Sequence, residues 1–312
     1  AGIWKPRTRP NNFEGVGEIG LQWMAKAREE TGLPFTTEVA SAAHVELALK
    51  YDADILWIGA RTTVNPFSVQ EIADALRGVD VPVMVKNPIN PDLALWMGAM
   101  ERLSQSGVRK LAAIHRGFST FEKTPFRNVP QWELAIEMKT AAPELDMICD
   151  PSHIAGTPEI IPLVSQKAID LDMCGLMIET HYQPKVALSD AKQQVKPVEL
   201  DEIISDLKIR TASIKKIKTE LEALRNEIDS LDDKVIERLA TRMNVAERIG
   251  EYKRDNDVTI LQVNRWDEIV HNRVSMAKSH GLSEDFIDGL LKLIHKESIR
   301  RQNEVMNQEV VK

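Results

Sequence analysis

The chain has 312 residues, 43% hydrophobic and 28% charged, with a formal net charge of −7; that balance argues against nucleic acid or an anionic membrane as the main partner, so any anion site must be a local cluster of cations. Two cysteines exclude a disulfide framework and point to a reducing compartment. No apolar run reaches membrane-spanning length and no signal-peptide pattern is present, so a soluble, cytoplasmic protein is expected.

In chain order, residues 2–4 read as a short strand running into the cationic loop KPRTRP. Apolar strand-like runs follow at 34–39 (PFTTEV), 55–59 (ILWIG), 81–85 (VPVMV), 110–114 (KLAAI), 146–150 (DMICD) and 175–179 (GLMIE). Amphipathic segments such as 69–76 and 132–140 lie between them. Near-continuous apolar strands alternating with helices predict a parallel sheet covered by helices, and the seven units stand one short of a (β/α)8 TIM barrel. The runs end on Glu38, Arg61, Lys86, His115-Arg116, His153 and Glu179. In such a barrel these residues share one rim, where an active site for an anionic substrate is built.

After residue 207 the pattern changes, so the domains are expected at 1–207 and 208–312. From 214 to 254 there is no proline, and the only glycine is Gly250. Apolar residues recur at helical spacing through Leu221, Leu224, Ile228, Leu231, Val235, Leu239, Ala246 and Ile249. A helix of about forty residues spans roughly 60 Å, too long to bury its stripe on the rest of its own chain, so a homodimer through this helix is expected. Shorter helices are expected around 263–279 and 283–308, the latter with Ser283 as N-cap. At about 100° per residue, Arg242 falls within roughly 20° of Ile249 and Lys253 on the apolar stripe, while Arg225 lies about 100° away. One straight helix cannot aim both arginines at one pocket, but Arg225 can serve the pocket of a partner protomer. Ser298 and Gln302 share a face at i, i+4.

His153, Glu179 and Asp190 have the character of metal ligands, one imidazole and two carboxylates that need at least one more donor. Each also has a plain reading: a polar strand end, a solvated acid, a helix cap at Asp190.

KPRT, IGART, VKNP, HRGFSTFE, CDPSH and IETHYQPKVALSDAKQQ occur in that order over residues 1 to about 205. Together they resemble the 3-deoxy-7-phosphoheptulonate (DAHP) synthases of the short, metal-dependent type. The resemblance implies that Lys5, Arg61, Lys86 and Arg116 hold phosphoenolpyruvate. It implies that Arg7 and Thr8 take the phosphate of erythrose 4-phosphate, with Asp150 near its hydroxyls. His153, Glu179 and Asp190 would then bind a divalent metal, Mn2+ first, with Fe2+, Co2+ or Zn2+ as alternatives. The family's fourth ligand, a cysteine, and a further arginine would precede Ala1. Cys149 and Cys174 do not replace that ligand and are expected to be buried thiols.

Residues 221–253 (LEALRNEIDSLDDKVIERLATRMNVAERIGEYK) and KESIRRQ at 296–302 resemble the first and last helices of the all-helical chorismate mutases. That resemblance implies a site made of Arg225 from the opposite protomer with Arg242, Lys253, Gln262, Arg265, Ser298 and Gln302. Trp266 stands where many members carry a glutamate for the substrate hydroxyl. The reading is a bifunctional enzyme, converting chorismate to prephenate in the second domain, which would also give feedback on the first. The alternatives are a helical module that senses ligand or dimerises without mutase activity, and a chain truncated ahead of Ala1 with an inactive barrel.

Overall fold

The computed structural model describes residues 3–4, 12–210, 218–260 and 272–307. The chain divides into two compact units, 1–212 and 213–312.

In the first unit α1 (Glu18–Thr31) precedes a strictly alternating series: β1 (Thr36–Val39), α2 (Ala42–Lys50), β2 (Ile55–Ile58), α3 (Ala60–Thr63), α4 (Pro66–Ala75), β3 (Val83–Lys86), α5 (Leu93–Gln105), β4 (Leu111–His115), α6 (Trp132–Ala141), β5 (Asp146–Cys149), α7 (Pro151–Ala155), α8 (Ile161–Asp170), β6 (Gly175–Leu176) and α9 (Pro197–Asp206). The described strands form one six-stranded sheet in the order β1-β2-β3-β4-β5-β6, every pair parallel. This is the α/β architecture that the alternation of strands and helices predicts.

Side-chain alternation divides the sheet residues between two layers. Leu56, Ile58, Val83, Val85, Ala113, Met147 and Cys149 join the core under the helices. Trp57, Met84, Ile114 and the partly buried Ile148 form a second cluster on the opposite face. Helix starts are fixed by short polar side chains: Ser41 accepts from His44 N, Asn65 from Phe67 N and Ser68 N, and Asp92 from Leu95 N. Trp96 of α5 is fully buried and donates its indole N–H to the Val85 carbonyl at 3.2 Å, tying α5 to β3.

Three details differ from the sequence reading. Ile3 and Trp4 form a bend rather than a strand; the Ile3 carbonyl accepts from Gly17 N at 3.1 Å, a turn partner and not a ladder neighbour. β6 is confined to Gly175–Leu176, and further along the Glu179 N–H donates to the Ser152 hydroxyl at 2.9 Å. Cys149 is buried as expected, but Cys174 is exposed, held at the lead-in to β6 by a 3.3 Å contact to the Met147 carbonyl.

The second unit contains α10 (Lys218–Asp255), helical residues 272–279 (α11) and α12 (Glu284–Asn307). Its 38 residues make α10 about 57 Å long. Met243 and Ala246 of α10 and Ile287, Ser298 and Gln302 of α12 are buried, and the two helices pack on each other. Leu224, Ile228, Val235 and Ile249 remain between 44% and 57% exposed along the stripe. Ser283 caps α12, accepting from Phe286 N at 3.4 Å.

Trp96→Ala removes the largest buried side chain between α5 and β3 and is expected to destabilise the first unit by about 3–5 kcal/mol, measured as a lowered urea midpoint at unchanged m-value.

Candidate functional site

A cavity of about 1040 Å³ opens at the carboxyl ends of the strands. Arg61, Lys86, Arg116, Asp150, His153, Glu179 and Asp190 all line it, as does Glu38, whereas His115, also expected at the rim, does not. Lys5, Arg7 and Thr8 lie outside the described residues.

The centre of the cavity wall is Asp150, whose side chain is 1% exposed. It follows β5 and caps α7, with Oδ1 accepting from His153 N at 3.0 Å. Oδ2 accepts from Lys86 Nζ at 2.6 Å and lies 2.9 Å from His153 Nδ1. Burial alone would raise the pKa of this carboxyl, but the adjacent His153 and Lys86 outweigh it and hold the group well below the usual carboxylate range. Lys86 also sits 4.5 Å above the centre of the Trp57 ring, a cation–π contact that supports the charge on its other side.

Arg116 is 8% exposed; its guanidinium donates to Asn128 Oδ1 at 2.8 Å and its backbone N–H to Asn87 Oδ1 at 2.7 Å. Burial lowers its pKa to about 10, which leaves it charged at neutral pH. The preceding His115 is fully buried against Trp96, Phe118 and Trp132, and burial pushes it down to about 3, so it is a neutral packing residue. Glu38 is also buried at the rim, and only a glycine at 59 leaves room for its carboxylate: a Cβ there would stand 1.9 Å from Glu38 Oε1.

His153, Glu179 and Asp190 supply an imidazole and two carboxylates, donor types that a divalent metal accepts. His153 Nδ1 is turned to the Asp150 carboxylate, the arrangement that orients a metal-binding imidazole. Glu179 Oε2 accepts from Gln193 Nε2 at 2.7 Å, and Asp190 Oδ1 accepts from Arg127 Nη1 at 3.0 Å. Asp190 precedes a short 3₁₀ turn with φ 52°, yet its side chain caps nothing, which removes the plain helix-cap reading. Among the described residues no three His, Cys, Asp or Glu side chains stand together as a set able to hold an ion. The three line the same cavity without forming such a cluster.

Arg127 and Asn128 also line the cavity and were not picked out by sequence. The available signal was the long connection from β4 to α6, since loops beyond about 12–15 residues are usually functional.

In the second unit Arg242 Nη1 reaches from α10 to Ser298 Oγ on α12 at 2.5 Å, and buried Lys253 donates to the Ile260 carbonyl. These partners are neutral, and burial lowers the pKa of both cations. Gln302 is buried where Gly250 lets the helices approach: a Cβ on Gly250 would lie 3.1 Å from Gln302 Cα. Partly desolvated cations held by neutral oxygens suit a carboxylate ligand. Arg225 is exposed, and Gln262, Arg265 and Trp266 lie outside the described residues.

A parallel α/β sheet with cations, an imidazole and carboxylates gathered at its strand ends has the layout in which α/β barrel enzymes build an active site. Residues 1–216 match the family model described as DAHP synthetase I, and the chain belongs to that family. Residues 224–303 match the model described as chorismate mutase type II. A phospho-2-dehydro-3-deoxyheptonate aldolase from Thermotoga maritima is 30% identical over 207 residues, 66% of this chain and 59% of the relative. A 4-amino-4-deoxychorismate mutase from Streptomyces pristinaespiralis is 33% identical over 84 residues, 27% of this chain and 65% of the relative. The crystal structure of a Thermotoga maritima DAHP synthase superposes with a TM-score of 0.59 at 27% identity, covering 72% of this chain and 60% of that one. The chain thus spans less than two thirds of the length of each of these relatives. The family is in general metal-dependent.

Asp150→Asn leaves Lys86 and His153 facing a neutral amide and is expected to cost about 3–5 kcal/mol in urea unfolding at pH 7. Because the folded carboxyl titrates below its unfolded value near 3.8, its contribution is complete above that pH and is lost as pH falls through the folded pKa. Between pH 5 and 2 the wild-type protein should therefore lose more stability than the Asn variant.

Proposed function

We propose that residues 1–207 condense phosphoenolpyruvate with erythrose 4-phosphate to DAHP, and that residues 208–312 rearrange chorismate to prephenate. The observation that carries the first activity is the convergence of Arg61, Lys86 and Arg116 with Asp150 and His153 on one cavity. Two phosphorylated anions repel each other, and a set of preorganised cations offsets that repulsion. Lys86, Arg116 and Arg61, with Lys5, take the phosphate and carboxylate of phosphoenolpyruvate. Arg7 and Thr8 take the sugar phosphate, and Asp150 faces the sugar hydroxyls while fixing Lys86 and His153. The enol carbon then forms a bond to the aldehyde carbon, whose oxygen gains a proton; water adds at the cationic carbon and phosphate leaves with its C–O bond electrons. A divalent metal held by His153, Glu179 and Asp190, Mn2+ in the first instance, supplies Lewis-acid polarisation of the aldehyde.

For the second activity the support is the pair Arg242 and Lys253, held by neutral oxygens beside Ser298 and Gln302. A Claisen rearrangement needs no nucleophile, only a compact conformer and stabilisation of negative charge on the breaking ether oxygen. Gln262 and Arg265 complete the proposed site. Arg225 acts on the partner protomer's pocket in a homodimer built on the exposed α10 stripe. Prephenate or chorismate in this unit restrains the synthase, an effect that linkage makes reciprocal in binding. No described helix is long and apolar enough to cross a membrane.

Phosphate release from phosphoenolpyruvate, erythrose 4-phosphate and a manganese salt tests the first activity, with Lys86→Ala expected to lower kcat/KM by about 10²–10³-fold. A wild-type chain that releases no phosphate sinks it. Chorismate loss by the same chain tests the second, with a similar drop for Arg242→Ala. Chorismate bound but not converted makes the helical unit a sensor.

A further inference from the structure

We propose that Arg127 and Asn128, together with Gln193, form a bracket that links His153, Glu179 and Asp190 and governs how they gather around a divalent cation. The inference rests on the reading of those three residues as metal ligands, and adds residues to which no role has been given. His153 stands in α7, and Glu179 and Asp190 stand apart on the long connection from β6 to α9, so the ladder of the sheet does not fix them against one another. The bracket does. Arg127 Nη1 donates to Asp190 Oδ1 at 3.0 Å and also to Gln193 Oε1. Gln193 Nε2 passes the contact on to Glu179 Oε2 at 2.7 Å. Asn128 Nδ2 donates to the His153 carbonyl at 2.6 Å, while its Oδ1 accepts from Arg116. One dipeptide and one glutamine therefore reach all three candidates.

The bracket itself is anchored by the main chain. Arg127 N and Asn128 N both donate to the Ile154 carbonyl, at 3.0 and 3.2 Å. Gly156, with φ 75°, makes this approach possible: a Cβ there would lie 2.4 Å from Arg127 Cβ. Electrostatics gives the arrangement its purpose. Glu179 and Asp190 face one cavity, and before a cation arrives the Arg127 guanidinium offsets their mutual repulsion. The Arg127 side chain is 45% exposed while that of Asp190 is 11% exposed, so Arg127 is placed at the site by its bonds rather than by burial of its own surface. Partners of this kind typically set metal affinity by 10–100-fold.

The test is Mn2+ binding to the full chain, following free Mn2+ by electron paramagnetic resonance, with a thermal melt in the absence of metal. Arg127→Ala and Gln193→Ala are expected to weaken Mn2+ binding about 10–100-fold while melting within a few degrees of the wild type, and Arg127→Lys to recover part of the loss. His153→Ala separates the two layers of the argument. If His153→Ala leaves Mn2+ affinity unchanged, or the wild type binds none, the ligand reading is wrong and the bracket falls with it. If His153→Ala weakens binding but Arg127→Ala and Gln193→Ala bind as tightly as the wild type or more tightly, the ligand set stands and the bracket is overturned. Should Arg127→Ala not fold, Arg127→Lys and Gln193→Ala decide on the same criteria.

Discussion

The first unit depends on a carboxylate that has been taken out of water. Placing an ion at the 1% exposure of Asp150 costs several kcal/mol unless opposite charge and hydrogen bonds surround it. Lys86 at the end of β3 and His153 in α7 supply both, and Asp150 N donates to the His115 carbonyl at 2.7 Å, so β4 is drawn in as well. The ends of three neighbouring strands are thereby locked to one atom group. Arg116 next to His115, and His153 with its ring turned to Asp150, take their positions from this cluster. The cluster is also where anion chemistry needs rigidity, because preorganised charge does not have to rearrange as the reaction proceeds.

The strand ends were legible in the sequence because a parallel sheet covered by helices demands short apolar runs, and a charged residue closing such a run has nowhere to go but the rim. Lys86 and Arg116 could be read in that way, whereas Asp150 was marked only by the family resemblance. The six strands of the sheet fall within or next to the apolar runs for the same reason. The course of the chain at Glu179 could not be read, since the partner of its N–H is the Ser152 hydroxyl of α7. Arg127 and Asn128 were invisible for a related cause. Nothing in TPFRNVP has a period, and the pair is placed by main-chain bonds to Ile154 in α7, beyond α6 and β5 in the chain. Exposure of Cys174 is likewise a matter of where a strand begins, not of composition.

The second unit shows a different limit. Helical spacing alone gave the course of α10, and the same spacing put Arg242 and Lys253 on one face. What spacing could not give is the partner of each cation, since Ser298 and the Ile260 carbonyl become neighbours only when α12 and the turn after α10 fold back. Gly250 shows why that return is so close. Its missing side chain lets Gln302 approach to a separation at which any larger residue would push the helices apart.

Gly156 and Arg127 have the same relation across two loops, and it reaches beyond the folded molecule. A side chain at 156 would enter the space held by the Arg127 stem and would also have to accept a left-handed backbone. The two positions are therefore one unit of inheritance: a lineage that lets 156 drift away from glycine must also surrender the present course of the chain at 127. Across related chains the two sites should change together or not at all, although twenty-nine positions separate them in the sequence.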